Sequence, residues 1–552
     1  MTRYQAHNFE IPAETIEVAQ AAFPKGNVYL TLRDHLGPLF QDVDFAELYA
    51  WQGQEGVSPG MLAMVTVMQF MEGLTDRQGA EAVRSRIDWK YALGLPLKDS
   101  GFDYSILSGF RERLLRGQQE ALLFEQVLDK LKAHGLLKGK AQQRTDATHV
   151  VAAIRSLNRL ECVGETLRRL LDDLARVAPE WLMSQISADW FDRYGARIEA
   201  YRLPDKKSER EALQRQIGQD GSYLLTAIYS DAAPGWLREL PTVDVMLRVW
   251  RQQYYFEGDQ VHWRDDKSLP PFKLLIVSPD DIEARNRTKR ETNWSGYAAH
   301  LTETCQTTEP NLITNVLTTP ATTADVEVTP TIHQALADKA LLPEEHFVDT
   351  AYTSVDNLLD AERQHNIDLI GPVAGGGSWQ AKAGKGFDVS CFAVDWDQQT
   401  VTCPQGKTTQ NWHLRQEKYG HQYFEIRFTP ADCHPCSSRP DCTKSKRGVR
   451  TISLRPQTEY EALKRARDRQ QTEEFKTKYK KRAGIEGTIS QGTRSFELRR
   501  TRYLGLAKTH LQHLATAAAI NLTRIATWWL AGEPQSHPYR SPFAKLKPVC
   551  LT

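Results

Sequence analysis

Apolar positions recur every three or four residues through the first 135 residues, a spacing that predicts amphipathic helices. The stretch "SPGMLAMVTVMQFMEGL" opens with Ser58 as a cap and Pro59 in the first turn. Leu62, Val65, Val67 and Met68 make its apolar face. "DRQGAEAVRSRIDWKYALGL" and "DYSILSGFRERLLRG" read as two further helices separated by "PLKDSGF". Arg84, Arg86, Lys90, Arg111 and Arg113 are expected to project from them. Short helices joined by tight turns resemble a helix-turn-helix module, although compact bundles that bind nothing share the pattern.

The period then changes. "AQQRTDATHVVAAI" (141–154) favours an extended strand through Thr145, Thr148, Val150 and Val151. Helical spacing returns from 156 to about 265, as in "LNRLECVGETLRRLLDDLARV". Strand character follows in "FKLLIVSP", "SGYAAHLTETC", "NLITNVLTTP", "HFVDTAY" and "IDLIGPV", with helical "TPTIHQALADKALL" and "SVDNLLDAERQHN" between some of them. Alternating strands and helices predict a mixed α/β sheet. Residues 375–455 read as short strands and loops, and the chain is expected to be helical from Gln457 to about Trp529. The expected organisation is a helical domain at 1–135 and an α/β core in pieces at 136–155, 266–374 and 456–530. A helical insertion at 156–265 and a β-rich, cysteine-bearing insertion at 375–455 interrupt that core, and 531–552 forms a tail.

Charge sharpens this picture. The chain of 552 residues has a net charge of only +1. Residues 439–508, however, hold 20 Lys/Arg against 8 Asp/Glu. A basic stripe in a balanced chain is the footprint expected of a nucleic-acid partner, and equally of a solvated helix face. The first 30 residues carry no secretory pattern, and no run of 18 apolar residues predicts a membrane span. No phosphate-binding loop with Gly-Lys-Ser/Thr and no nucleophilic Ser or Cys context stands out.

Inside the basic run, "YKKRAGIEGTISQGTR" (479–494) contains a single carboxylate. On a continuous helix Tyr479, Arg482 and Glu486 fall within about 60° of arc. Two other acids stand out. Asp146 lies mid-strand in "RTDATHV", where Asp is disfavoured and, if buried, needs a partner such as a metal ion. Asp349 in "HFVDTAYTS" falls at the carboxyl end of a strand, where open α/β sheets place ligand groups. Two Asp on neighbouring strands and a Glu on a packed helix form an oxygen-only set suited to Mg²⁺. The plainer readings are a surface ion pair for Glu486, an edge-strand Asp146 and a capping Asp349.

Together these stretches resemble insertion-sequence transposases of the DDE superfamily over nearly the whole chain. The closest likeness is to the branch whose Glu helix carries Tyr-x2-Arg-x3-Glu-x6-Lys. Tyr479, Arg482 and Glu486 match; the Lys position is Thr493, followed by Arg494. "WSGYAAHLTETC" (294–305) and "LRRTRYLGLAKTHLQHLATAAAINLTR" (498–524) are also typical of that branch. The resemblance implies an RNase H-like catalytic fold and catalytic, metal-binding Asp146, Asp349 and Glu486. It implies two Mg²⁺ or Mn²⁺ ions, with Tyr479, Arg482, Arg494 and Lys508 supporting the DNA phosphates. It further implies binding of terminal inverted repeats by the N-terminal helices, end cleavage, joining of 3′-hydroxyls to target DNA, a homodimer on DNA, and residence on the bacterial nucleoid in the cytoplasm. Some relatives stack a flipped base on a Trp between the second and third acids, an interval that here contains Trp379, Trp396 and Trp412. The alternatives are a metal-dependent nuclease that cuts without joining, and a DNA-binding regulator without catalysis.

Cys403 in "VTCPQGK" and Cys433, Cys436 and Cys442 in "CHPCSSRPDC" supply four thiolates, the number that structural zinc takes; the plainer reading is a reduced cluster of ordinary loop cysteines. Cys162, Cys305, Cys391 and Cys550 have no such company.

Overall fold

A computed structural model describes residues 2–531, apart from 51, 52, 200, 202, 259, 290, 307, 308, 376, 377, 384, 385, 418 and 419. Cys550 and the expected tail lie outside the described residues.

The sheet is built from β1 (Gln143–Val151), β2 (Thr292–Thr304), β3 (Ile313–Pro320), β4 (Glu345–Phe347) and β5 (Asp368–Ile370). Their spatial order is β5-β4-β1-β2-β3. The first three form an antiparallel meander, whereas β4 joins β1 in parallel and β5 joins β4 in parallel. That order and those directions make an RNase H-like mixed sheet, in line with the fold class expected from the sequence. A short strand, Arg285–Lys289, folds back on the start of β2. At Gly296 the backbone has φ +151°, and a Cβ would stand 2.2 Å from the Val150 carbonyl oxygen, so β1 and β2 approach too closely there for any other residue.

Four helices frame the sheet: α1 (Asp325–Asp338), α2 (Val355–His365), α3 (Gly484–Ser495) and α4 (Leu506–Ala531). The Ala-rich α4 is buried from Leu511 through Leu522, and small side chains let it lie close to its neighbours. The Asn521 amide donates to the Ile313 carbonyl at 2.8 Å and accepts from its N–H at 2.8 Å, which stitches α4 to the edge of β3. One contiguous apolar core joins the N-terminal helices (Leu32, Phe45, Trp89, Leu128) to the sheet, α1 and α4 (Tyr297, Ile332, Ile520). The helical segment from Arg159 to Gln253 has its own core around Leu167, Ile217 and Trp250. The cysteine-bearing segment has a third, around Val401, Ile426 and Ile452, under two three-stranded sheets.

The structure corrects several local expectations. "FKLLIVSP" is not a strand: Phe272–Leu274 is a single 3₁₀ turn. Ile276 then pairs its N–H with the Gln252 side chain and its carbonyl with the Cys162 thiol, so side chains of the helical insertion replace a strand partner. Helix Pro59–Glu72 is buried almost all round rather than on one face. The chain is not continuously helical to Trp529: residues 496–505 leave the helix, with Glu497 at φ +52°, and Val151 pairs with Arg499 and Thr501 through its backbone.

Four histidines, His300, His333, His346 and His513, lie buried around this sheet, and His510 is half-buried beside them. Thr145 Oγ1 meets His346 Nε2 at 2.7 Å, His346 Nδ1 meets His333 Nε2 at 2.9 Å, and His513 bonds Thr318 at 2.7 Å. Burial lowers all five, holding His300, His333 and His510 at about 4, His513 at about 3 and His346 well below its usual value. These rings stay neutral in the fold, while the unfolded chain takes up protons below about pH 6.5. Their contribution to stability is therefore complete above about pH 6.5 and is lost as pH falls toward about 4. Melting temperature recorded between pH 7.5 and 5.5 should drop toward the acid end; a flat profile would contradict this account.

Candidate active site

The residues at 144, 146 and 148 share one face of β1, because side chains alternate along a strand. That face meets the C-terminal part of the chain. Arg144 Nη1 donates to the Lys481 carbonyl at 2.7 Å, Asp146 Oδ2 accepts from Arg482 Nη2 at 2.7 Å, and Thr148 Oγ1 accepts from Arg499 Nε at 2.8 Å. The other oxygen of Asp146 accepts the N–H of Ala147 at 2.9 Å.

Asp349 lies two residues beyond the end of β4. Its side chain accepts the Ala351 N–H at 2.8 Å and shapes the turn that leads to α2, whose first turn is capped by Ser354. Tyr352 is fully buried in that turn, with its hydroxyl 2.7 Å from His300 Nδ1. Burial raises the Tyr352 hydroxyl far above its usual range, and Asp325, Asp146 and Asp349 push it further. It is thus a neutral strut under the two aspartates.

Glu486 sits in the first turn of α3 and is mostly exposed. The expected continuous helix from Tyr479 to Glu486 is corrected here. Glu473–Tyr479 is one helix, Lys480–Ala483 is a 3₁₀ turn, and α3 begins at Gly484. Tyr479 turns inward instead of sharing an exposed face with Glu486. It stacks on Phe475 with centroids 5.5 Å apart and joins a cluster with Cys305, Phe347 and Ile370.

Arg482, in the 3₁₀ turn, reaches all three acids. Its guanidinium lies 2.7 Å from Asp146, 2.9 Å from Glu486 and 3.9 Å from Asp349. Burial pulls its pKa down, but Asp146, Tyr479, Asp349 and Glu486 together outweigh burial and hold it above its usual value. Asp146 behaves oppositely: burial raises its carboxyl, and Arg482, the Ala147 N–H and Lys289 only partly offset this. The structure therefore draws Asp146, Asp349 and Glu486 together from three distant segments. As they stand, no three His, Cys, Asp or Glu among the described residues are disposed to hold a metal ion. At this site a guanidinium stands between the carboxylates. The donor chemistry still suits a hard divalent cation, being oxygen-only with three acids that already share one positive group.

Two family models match the chain. One, described as a transposase DDE domain, covers residues 402–526; the other, described as a transposase domain (DUF772), covers residues 17–113. Both matches support an insertion-sequence DDE transposase. No curated protein and no solved structure gives a significant match. The DDE-domain match includes Glu486 and the cysteine group; Asp146 and Asp349 lie before it.

In this transposase α3 is seated by a buried charge network that sequence reasoning did not single out. Glu303 on β2 is fully buried. It accepts from Arg144 Nε at 2.8 Å, Thr488 Oγ1 at 2.5 Å and Arg524 Nη1 at 3.0 Å. Arg524, on α4, also donates to Thr488 at 2.6 Å. At Gly484 a Cβ would stand 2.0 Å from Arg144 Nη1, so a larger residue at the start of α3 would push this arginine out of its place. The available signal was the alternation in "RTDAT", which places Arg144 beside Asp146 on one face. Lys289 acts on Asp146, and Arg499 is held on Thr148, two positions further along the same face of β1; neither is marked by a local sequence signal.

The remaining candidates are scattered. Thr493, at the signature Lys position, donates its hydroxyl to the Ile489 carbonyl, Arg494 is exposed at the end of α3, and Lys508 is exposed in α4. Trp396 and Trp412 pack on each other and on Phe424 in the cysteine segment, and Trp379 lies under Lys444. The five N-terminal cations do not all project. Lys90 is buried on the carbonyls of Leu97 and Asp99, Arg111 is buried on Asp76, and Arg86 pairs with Glu72 and Asp88. These cations are taken up by nearby carboxylates and by loop carbonyls within the N-terminal bundle. Cys403, Cys433, Cys436 and Cys442 line one cavity of about 380 Å³. They are free thiols, Cys403 Sγ accepts the Lys407 N–H at 3.4 Å, and burial followed by the nearby thiols pushes Cys442 up.

Glu303→Leu should leave Arg144 and Arg524 buried without their partner and cost about 3–5 kcal/mol of stability, the range for breaking a buried pair. Urea unfolding followed by circular dichroism measures this. A change within error of wild type would show that the network is dispensable.

Proposed function

We propose that this transposase binds the terminal inverted repeats of its element through the N-terminal helices, cuts at the element ends and joins the 3′-hydroxyl ends to target DNA. The convergence of Asp146, Asp349 and Glu486 on one guanidinium carries this reading. The three acids would hold two Mg²⁺ or Mn²⁺ ions. Ions of this class activate the attacking oxygen and steady the leaving oxygen of an in-line phosphoryl displacement. Arg499, fixed on Thr148, and Lys289 place positive charge beside Asp146, where a DNA backbone would run. Arg482, Arg494 and Lys508 add cations on the same C-terminal segment, and Tyr479 steadies the helix before Arg482 by packing. The work on DNA would be done by a homodimer at the nucleoid.

Asp146→Asn, Asp349→Asn and Glu486→Gln should each abolish Mg²⁺-dependent cleavage of element-end DNA while leaving gel-shift affinity near wild type. Near-normal cleavage by any one of them would remove that acid from the site. Product analysis with a 3′-hydroxyl end and a supercoiled target separates joining from simple hydrolysis, the nuclease reading. Loss of all divalent-dependent nicking would favour a regulator.

We also propose that Cys403, Cys433, Cys436 and Cys442 bind structural zinc. Four thiols around one cavity, one already accepting a backbone N–H, have the donor count of a closed tetrahedral site. Such a site leaves no open position for chemistry and would brace a segment with a small core of its own. Elemental analysis should find about one zinc per chain, lost in Cys433→Ser and Cys442→Ser. Zinc-free wild-type protein with an unchanged melting temperature would refute the assignment.

A further inference from the structure

Arg482 links the three acids and is also the group best suited to a phosphate. Among the described residues, no other Lys or Arg forms an ion pair with Asp146, Asp349 or Glu486. A guanidinium offers five N–H donors in one plane and grips carboxylates and phosphates by the same fork. The N–H groups now turned to the acids are not free for a phosphate, and the carboxylate oxygens turned to this group are not free for metal ions. The present arrangement is also incomplete, since Arg482 Nε is buried without a hydrogen-bond partner. The residue stands on a 3₁₀ turn between two helices, a local winding that often marks a hinge.

We infer that Arg482 is an internal counter-ion that occupies the acid cluster when DNA and metal are absent, and that loading of divalent ions onto Asp146, Asp349 and Glu486 releases it to a substrate phosphate. Metal loading and capture of the DNA backbone are then one exchange: the acids trade a guanidinium for divalent ions, and the guanidinium trades carboxylates for phosphate. The inference rests on the acids being the metal ligands, as proposed above. A consequence is that the DNA-free protein holds metal weakly, so an armed site forms mainly when a backbone is there to receive the arginine.

The test is Mn²⁺ titration of the full-length, DNA-free protein, with free Mn²⁺ followed by electron paramagnetic resonance. Arg482→Gln should bind Mn²⁺ about tenfold more tightly than wild type, a coupling of ordinary size, with Arg482→Lys shifted in the same direction by less. If Arg482→Gln does not fold, Arg482→Lys alone decides the sign. Equal or weaker Mn²⁺ affinity in the folded variant overturns the inference. Asp146→Asn must abolish the added uptake in each background; if it does not, the ion is elsewhere and the inference falls. A second readout is the salt dependence of DNA affinity. Adding Ca²⁺ should steepen the wild-type slope by about one phosphate contact relative to Arg482→Gln. Identical slopes with and without Ca²⁺ in both proteins would also overturn it. Wild-type cleavage and joining are measured separately, so failure of the exchange is distinguishable from failure of the transposase reading.

Discussion

Three carboxylates that converge on one small site need a cation or a proton among them. The interaction of like charges at such distances is unfavourable, and burial strengthens it by removing water. Asp146 shows the tension directly, because burial raises its carboxyl despite the adjacent guanidinium. Arg482 resolves it by meeting all three acids from one turn of backbone. The rest of this core is the apparatus that brings those four residues to one point.

That apparatus has two halves. The sheet supplies Asp146 from the middle of β1 and Asp349 from just past its parallel neighbour β4, so the two aspartates are fixed by main-chain hydrogen bonding between adjacent strands. The third acid comes from a helix, which has no such ladder to fix it. Glu303, Arg144, Thr488 and Arg524 perform that task as a buried network spanning β1, β2, α3 and α4. Breaking such a network is costly because each remaining charge would be stranded away from water. The positional precision of α3 is therefore tied to the stability of the core.

The sequence made the sheet legible where strand and helix periods alternate cleanly, as in "SGYAAHLTETC" and "SVDNLLDAERQHN". It misled in "FKLLIVSP", where an apolar run is satisfied by Gln252 and Cys162 rather than by a strand. The acids stood out because Asp146 is unusual in a strand and Glu486 is solitary in a basic run. Their supports were hidden for a physical reason. Arg144 and Glu303 are separated by more than 150 residues and come together only through the antiparallel register of β1 and β2, which pairs them directly. No local period encodes that pairing. The N-terminal cations are illegible for the converse reason: an Arg or Lys on a polar-looking face is equally suited to an internal partner, as buried Lys90 and Arg111 demonstrate.

The same caution reshapes the basic stripe. Much of its charge is already committed within the chain. Arg455 pairs with Glu459, Arg469 with Asp368, Lys476 with Glu473, and Lys478 with Glu345. Arg482 is held by the acids, and Arg499 is bound to Thr148. What remains exposed includes Lys446 and Arg447 within the cysteine segment, Lys480 just before Arg482, and Arg494 and Arg500 around the end of α3. A polyanion approaching this surface would meet fewer available cations than the count of Lys and Arg implies. Because Arg482 already neutralises part of the acid cluster, that cluster repels an incoming backbone less than three bare carboxylates would. The local field therefore depends on which partner the guanidinium holds, and that partner is set by the same residues that define the site.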